Sequence, residues 1–311
     1  MGEFAWCDKQ LLATALAVIS AFCLGSAVVV SKFGLQLMDA RSGAAISMPA
    51  AMIALLALSP FLLDLSSFRW RAVIVFAIVG VFYPAVVTLL RFYSTIRLGP
   101  AITSTILACT TPLFAVLGAA VWLKESVPQR AIVATLGVAC GIALMSFRPA
   151  QTITGAGWRA SWLVLPFAAA FVSGGAQVGV KDGLLLWPNP FAAALIGYAV
   201  SSVAVLGVEL AQPDKAPNRC NAAIIWFALT GMLNSIGVVL LFAALSSAPV
   251  AFVAPIIASY PLVTIFLGAA VFKEDRLTWR IVAGSLVTII SIGYLVSGLQ
   301  PLFQVVGFVS C

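Results

Sequence analysis

The sequence contains no histidine, and only 9% of its 311 residues are charged. Without histidine there is no imidazole to act as a general base, a metal ligand or a haem ligand. The six cysteines are scattered without the CxxC spacing that is typical of metal and redox sites. Cysteines inside apolar runs can serve simply as small hydrophobic side chains. We therefore expect no catalytic residues, no metal and no cofactor.

Charge is scarce because the chain is composed of apolar runs, and 62% of its residues are hydrophobic. These runs are about 20 residues long, which is the length that crosses a hydrocarbon core of ~30 Å. Ten runs can be counted, and the connections between them are too short for a soluble catalytic domain. The pattern predicts an all-α polytopic membrane protein in contact with the lipid bilayer. The predicted spans lie near residues 11–35, 44–63, 72–93, 100–123, 131–147, 162–180, 191–210, 222–245, 249–272 and 281–296.

The net charge of +7 has an explanation within this class of protein. Lysine and arginine residues of polytopic proteins gather in the loops and set the topology. Here they form no continuous patch along the sequence, so we expect no nucleic-acid partner.

One segment of the sequence occurs twice in nearly the same form. The sequence PLFAVLGAAVWLKE, which begins at Pro112, is nearly repeated as PLVTIFLGAAVFKE, which begins at Pro261. The same offset of 149 positions relates Lys32 to Lys181, near the ends of the first and sixth spans. An offset that holds along the chain indicates that the whole chain is duplicated. The predicted units are one half over residues 1–149, a second half over residues 150–299, and a C-terminal tail over residues 300–311.

Each half contains five predicted spans, and five is an odd number. The second half must therefore enter the membrane from the face opposite to the first, so that the halves are inverted repeats. Many transporters are built from such repeats and bind substrate near the middle of the bilayer, between the halves. The fold prediction is ten transmembrane helices arranged as two inverted five-helix repeats.

Each half contains a proline-led fourth span with a small GAA stretch and a Lys-Glu corner, and a lysine closes the first span of each half. In these features the chain resembles the EamA-type drug/metabolite transporter superfamily over nearly its whole length. In general character it is most similar to the YddG-like bacterial exporters of aromatic and other neutral amino acids. The resemblance implies a multi-pass inner-membrane exporter of a small molecule that works by alternating access, and we expect it to function as a monomer.

Two indications disagree on where the termini lie. The resemblance implies that both termini are cytoplasmic. Counting the lysines and arginines on each side of the ten predicted spans mildly favours termini outside.

Several functional alternatives stay open. The superfamily also exports sugars, nucleotide-derived compounds and drug-like or other metabolites, so the substrate class is not fixed. A channel is a further alternative, and so is an intramembrane enzyme. An enzyme without histidine would need a Ser–Lys type of dyad, and the sequence neighbours Ser31 and Lys32 do not share a helical face.

The acidic residues all fall in the N-terminal tail, in loops or at predicted span ends. Proton-coupled transporters commonly use a carboxylate inside the membrane as a relay. The sequence therefore predicts a facilitator, or a carrier whose coupling needs no buried carboxylate.

Neutral polar side chains inside the spans are candidate substrate ligands. Such side chains often serve as hydrogen-bonding glue between helices. The amides of Gln177 and Asn234 have more donors and acceptors to satisfy than a hydroxyl has, so a wet cavity suits them better. A pocket of amides and aromatic rings would suit a zwitterion or an aromatic side chain. The predicted substrate-binding residues are Tyr83, Thr110, Ser173, Gln177, Trp226, Asn234, Ser259 and Tyr260.

Two symmetric pairs are candidates for gating. Lys32 and Lys181 either extend to the lipid headgroups or act as gate charges that pair with an acid or a backbone carbonyl in one state. Pro112 and Pro261 each remove one helical hydrogen bond inside a span, so they are either hinges or tolerated kinks. The predicted gating or hinge residues are Lys32, Pro112, Lys181 and Pro261.

Overall fold

The computed structural model describes residues 2–98, 100–146, 160–211, 220–272 and 279–297. Within these ranges the chain is helical almost throughout and contains no strand, which confirms the all-α prediction. The boundary between the predicted halves and the tail over residues 300–311 lie outside the described residues. The helices are α1 (Gly2–Leu35), α2 (Ala40–Leu62), α3 (Trp70–Gly80), α4 (Val87–Leu98), α5 (Pro100–Trp122), α6 (Gln129–Ser146), α7 (Val164–Leu186), α8 (Pro190–Leu210), α9 (Asn221–Ser247), α10 (Val250–Ile257), α11 (Tyr260–Phe272) and α12 (Trp279–Ser297).

Eight helical stretches of the described chain are long and apolar enough to cross a membrane. Two further apolar helices, Ile106–Trp122 and Gln129–Met145, are shorter and lie where the fourth and fifth spans are predicted. The outer surface carries large apolar side chains, among them Phe61 and Leu210, which are 85% and 80% exposed. An apolar outer surface on long apolar helices is what lipid contact requires, and the protein is a multi-pass membrane protein.

The third predicted span is interrupted at Pro84, which has no N–H to donate to the carbonyl oxygen of Gly80. Tyr83 leaves the helical region with φ −132° and ψ 123°, so that the chain is kinked within Val81–Val86, between α3 and α4. The Ser201 hydroxyl on α8 donates to the Gly80 carbonyl oxygen at 2.6 Å. Because lipid cannot hydrogen-bond an unpaired carbonyl, this contact stabilises the break inside the bundle.

The fourth span of the second half is also interrupted, at Pro261. α10 ends at Ile257 and α11 begins at Tyr260. Ser259, between them, donates its hydroxyl to the Ile256 carbonyl oxygen at 2.6 Å. In the first half, by contrast, α5 runs through the buried Pro112 without a break. The two prolines are equivalent in sequence but not in structure, and their role as hinges stays a prediction.

The first helix of each half packs against helices of the other half. α1 packs against α9, α10 and α11, whereas α7 packs against α3, α4 and α5. A methyl group added at Gly25 would lie 2.6 Å from the carbonyl oxygen of Tyr260, and one added at Gly174 would lie 2.9 Å from that of Thr111. Gly25 and Gly174, and likewise Thr111 and Tyr260, differ by the same 149 positions. Each half therefore makes the same close contact with the other.

A second pair of glycines repeats this relation. Gly34 on α1 lies against the ring of Phe227 on α9, and Gly183 on α7 lies against the ring of Phe76 on α3. Both rings are buried, Phe227 being 4% and Phe76 1% exposed. Small residues allow helices to approach closely in a membrane, where no hydrophobic effect drives them together. The glycines thus fix how the first helix of each half enters the other half.

Replacing Gly174 by alanine is expected to destabilise the folded protein by about 1–3 kcal/mol through overpacking. The added methyl group would lie 2.8 Å from the Ala115 nitrogen. The adjacent Gly175 is the matched control, because a methyl group there has nothing within 4 Å and alanine is the better helix former. Thermal unfolding in one detergent compares the two variants, and equal stabilities would contradict the close packing at Gly174.

Candidate functional site

Tyrosines from both halves lie near the two helix breaks. Tyr83, at the break in the third span, lies near Tyr260, at the start of α11. Tyr198 on α8 also lies near Tyr83, since α8 packs against Val81–Val86. Tyr198 is 2% exposed, and its hydroxyl has no hydrogen-bond partner within the described part of the chain. We refer to Tyr83, Tyr198 and Tyr260 as the tyrosine cluster.

Gln177 lies on α7, the helix that packs along both sides of this break. Its side-chain Oε1 is buried and accepts no hydrogen bond from any described residue. A buried acceptor without a partner costs about 1–3 kcal/mol. That this amide lines a wet cavity stays a prediction.

The remaining candidates on α7 and α9 are half-buried. Ser173 lies one turn before Gln177, and Asn234 lies on α9. The ring of Trp226 stacks on that of Phe33 on α1, with centroids 4.7 Å apart and planes at 20°. Trp226 therefore has a packing role between α1 and α9, in addition to any contact with solute.

Two candidate hydroxyls bond to their own backbone. The Thr110 hydroxyl donates to the Ile106 carbonyl oxygen at 2.6 Å, and the Ser259 hydroxyl donates to that of Ile256, also at 2.6 Å. Bonding of this kind satisfies a hydroxyl within its own helix. The hydroxyl protons of Thr110 and Ser259 are therefore bonded to backbone carbonyl oxygens, whereas Tyr83 lies near Tyr260.

At one end of the bundle, Lys181 pairs with backbone carbonyls. Its Nζ donates to the carbonyl oxygens of Leu245, at 2.5 Å, and Ala248, at 3.0 Å. These carbonyls belong to the last turn of α9 and its C-cap. Helix C-termini leave carbonyls unpaired and carry the negative end of the helix dipole. The half-buried Lys181 ammonium group satisfies both.

Glu125 completes this arrangement from the first half. Its Oε2 accepts a hydrogen bond from the N–H of Val250, at 3.0 Å, where α10 begins. Burial raises the pKa of the Glu125 carboxyl, while the nearby Lys181 ammonium acts in the opposite direction. We call Lys181, Glu125 and their backbone partners at Leu245, Ala248 and Val250 the Lys181 network. It ties the end of α5 to α7, α9 and α10.

The opposite end of the bundle also carries a polar link between the halves. Arg41 Nε on α2 lies 3.0 Å from Glu209 Oε2 on α8, and Arg41 Nη2 donates to the Val208 carbonyl oxygen at 2.8 Å. Lys32, the equivalent of Lys181, is exposed at this end, with its Nζ close to Gly268 on α11. The two lysines thus differ, because only Lys181 is half-buried.

The chain matches a family model twice. Residues 11–147 and residues 160–297 each match the EamA-like transporter family. The chain belongs to the EamA-like transporter family. This finding confirms the resemblance to the superfamily, whereas the similarity to its YddG-like members stays an expectation.

This EamA-like transporter shares its fold with a solved structure. The structure, described only as "Crystal structure of protein", superposes with a TM-score of 0.73 over 91% of this chain and 97% of the other. The two sequences are 15% identical, so the likeness concerns the fold alone. None of the curated proteins compared with the transporter matches it.

Sequence reasoning missed Tyr198 of this EamA-like transporter. A single tyrosine in an apolar run reads as part of the core, and nothing nearby in sequence pairs with it. The phenol group of Tyr198 could have singled it out, because a tyrosine hydroxyl inside a span usually needs a hydrogen-bond partner. The predicted substrate ligands and gates themselves stay predictions. Across the described ranges, no three His, Cys, Asp or Glu side chains converge as a metal site would require.

Proposed function

We propose that this transporter exports small neutral metabolites, foremost aromatic and other neutral amino acids, across the inner membrane, as the YddG-like members do. The observation that carries the proposal is the tyrosine cluster together with the unpaired amide oxygen of Gln177 on α7, the helix that packs against the break at Tyr83. Ligand sites combine apolar and aromatic walls with a few polar groups that fix orientation. Phenol rings suit an aromatic side chain, and the hydroxyls and amide suit the polar end of an amino acid.

The two polar links between the halves support alternating access. The Lys181 network joins them at one end of the bundle, and the ion pair of Arg41 with Glu209 joins them at the other. Rocking of one half against the other around a central site requires one link to break while the other holds. A single chain supplies both halves, which supports the proposal that the monomer is the functional unit.

The loop contacts support ten alternating spans. The Asn189 amide, after α7, donates to the Asp64 carbonyl oxygen, after α2, at 2.8 Å. Glu125, after α5, meets Val250, after the end of α9. If each of ten segments crosses once, all four of these connections lie on the same face as the termini. We place that face in the cytoplasm, with the second half inverted relative to the first.

Thiol labelling tests the inversion. Gln36 and Pro188 are exposed residues in the connections that follow the first helix of each half. In a background without the six native cysteines, Gln36→Cys and Pro188→Cys are expected to lie on opposite membrane faces. A membrane-impermeant maleimide applied to intact cells should label one of them, and permeabilisation should expose the other. Labelling of both from the same side would contradict the inverted arrangement.

An uptake screen tests the substrate class. Purified protein in liposomes is expected to take up radiolabelled L-phenylalanine saturably, with competition from L-leucine but not from glucose or uridine monophosphate. Protein-free liposomes are the control. Uptake of the sugar or the nucleotide without uptake of amino acids would replace the proposal by the corresponding alternative.

Coupling is tested in the same liposomes. Because no carboxylate is expected inside the membrane, uptake should proceed down a substrate gradient without any pH gradient. Strict dependence on an imposed proton gradient would exclude the facilitator.

A further inference from the structure

Arg91 lies on the inward face of α4 and is nevertheless exposed. Residues three, four and seven positions away share one side of a helix. On this side Val87, Ser94 and Leu98 are buried, at 3%, 0% and 7% exposed, whereas Tyr93 on the far side is 59% exposed. The exposed Arg91 side chain therefore lies on the buried side of α4 and not on the side of Tyr93.

Two elements that carry candidate substrate residues pack against α4. The Arg91 guanidinium lies near Tyr83 of the tyrosine cluster. α4, which carries Arg91, packs against α7, which carries Gln177. A guanidinium stays charged at any physiological pH. A permanent positive charge therefore lies near Tyr83, one of the candidate substrate residues.

No described acidic side chain forms an ion pair with Arg91; in the described ranges the ion pair runs between Arg41 and Glu209. Charged residues inside transmembrane segments are costly, and they face the bundle interior or a water-filled cavity where they mark substrate pathways. The planar guanidinium group binds a carboxylate through two parallel hydrogen bonds. Arg91 thus has the positive charge, the position and the N–H donors that binding a carboxylate requires.

We propose that Arg91 binds the carboxylate of the transported solute, which makes the transporter selective for carboxylate-bearing zwitterions over the corresponding amines and amides. This inference rests on the proposed function and assigns one group of the site to one group of the solute. Gln177 and the tyrosine cluster then contact the ammonium group and the side chain.

The test is uptake of radiolabelled L-phenylalanine into proteoliposomes, with L-phenylalanine, L-phenylalaninamide and phenethylamine as unlabelled competitors. Wild-type uptake should be inhibited by the amino acid and far less by the two compounds that lack the carboxylate. Arg91→Gln should weaken the apparent affinity for phenylalanine about ten- to a hundredfold, because a hydrogen-bonded charge partner is lost, and should abolish the discrimination. Arg91→Lys keeps the charge without the two-pronged geometry, so its affinity should fall between the two.

Arg97→Gln is the matched control, since it removes the same charge from the same helix. Arg97 is exposed, and its guanidinium lies 4.5 Å from the centroid of the Trp162 ring. Its uptake and selectivity should equal those of the wild type.

The outcomes separate the two claims. Wild-type affinity and discrimination in Arg91→Gln would overturn the role of Arg91 and leave the proposed function in place. A wild type that takes up no phenylalanine would reject the proposed function, and the inference with it. If Arg91→Gln does not fold, unchanged affinity and selectivity in Arg91→Lys would overturn the inference.

Discussion

Replacing Lys181 by methionine is expected to slow transport at least about tenfold while the protein remains folded and monodisperse. Its ammonium group donates to two carbonyl oxygens at the end of α9 and lies close to Glu125 of the first half. A hydrogen bond to a charged group contributes about 1.5–3 kcal/mol. Losing such bonds shifts the balance between the closed and open forms of this end by about ten- to a hundredfold. Initial rates of uptake into proteoliposomes measure the effect.

Two variants sharpen this test. Lys124→Met removes the same charge from an exposed position next to Glu125 and should transport normally. Lys181→Arg keeps a charged donor and should recover part of the rate. Normal transport by Lys181→Met would contradict the gate and favour the interpretation that this lysine merely reaches the headgroups.

Replacing Gln177 by leucine is expected to reduce transport at least about tenfold without lowering the melting temperature. The amide oxygen has no hydrogen-bond partner among the described residues, so its removal takes no acceptor bond from the fold. Replacing an unsatisfied polar group by an apolar one of similar shape is nearly neutral or stabilising. The solute, by contrast, would lose a contact. Asn234→Leu and Tyr260→Phe should also impair transport if these residues line the same site.

Gln36→Leu is the control for Gln177→Leu, because it makes the same change at an exposed position after α1. Uptake and thermal unfolding are measured on the same preparations. Normal uptake by Gln177→Leu would remove this residue from the site. A large loss of stability would mean that the amide holds helices together instead.

The helical spans and the repeat could be predicted from the sequence because both are local patterns. Apolar runs of membrane-spanning length predict helices wherever they occur, and the constant offset relates residues of the same kind. Gly25 and Gly174 are an example, because these two residues, which are equivalent in sequence, make the same close contact in both halves. The offset alone could not tell that each glycine contacts the opposite half, because partners far apart in the chain leave no periodic signal.

The candidate site was less predictable for the same reason. Tyr198 on α8 lies near Tyr83 although 115 positions separate them in the chain (198 − 83). Equivalent prolines of the repeat also differ in structure, since α5 continues through Pro112 whereas the helix breaks before Pro261. Residue type indicated which side chains could bind a solute, and only the packing indicated which of them meet.

Counterflow measures most directly whether this transporter is a carrier for neutral amino acids. Proteoliposomes are preloaded with unlabelled L-phenylalanine and diluted into buffer that contains a trace of labelled L-phenylalanine. An alternating-access carrier exchanges one molecule for another, so the label should rise transiently above its equilibrium level inside and then decline. A monotonic approach to equilibrium, as through a channel, or no protein-dependent entry of label, would contradict the account.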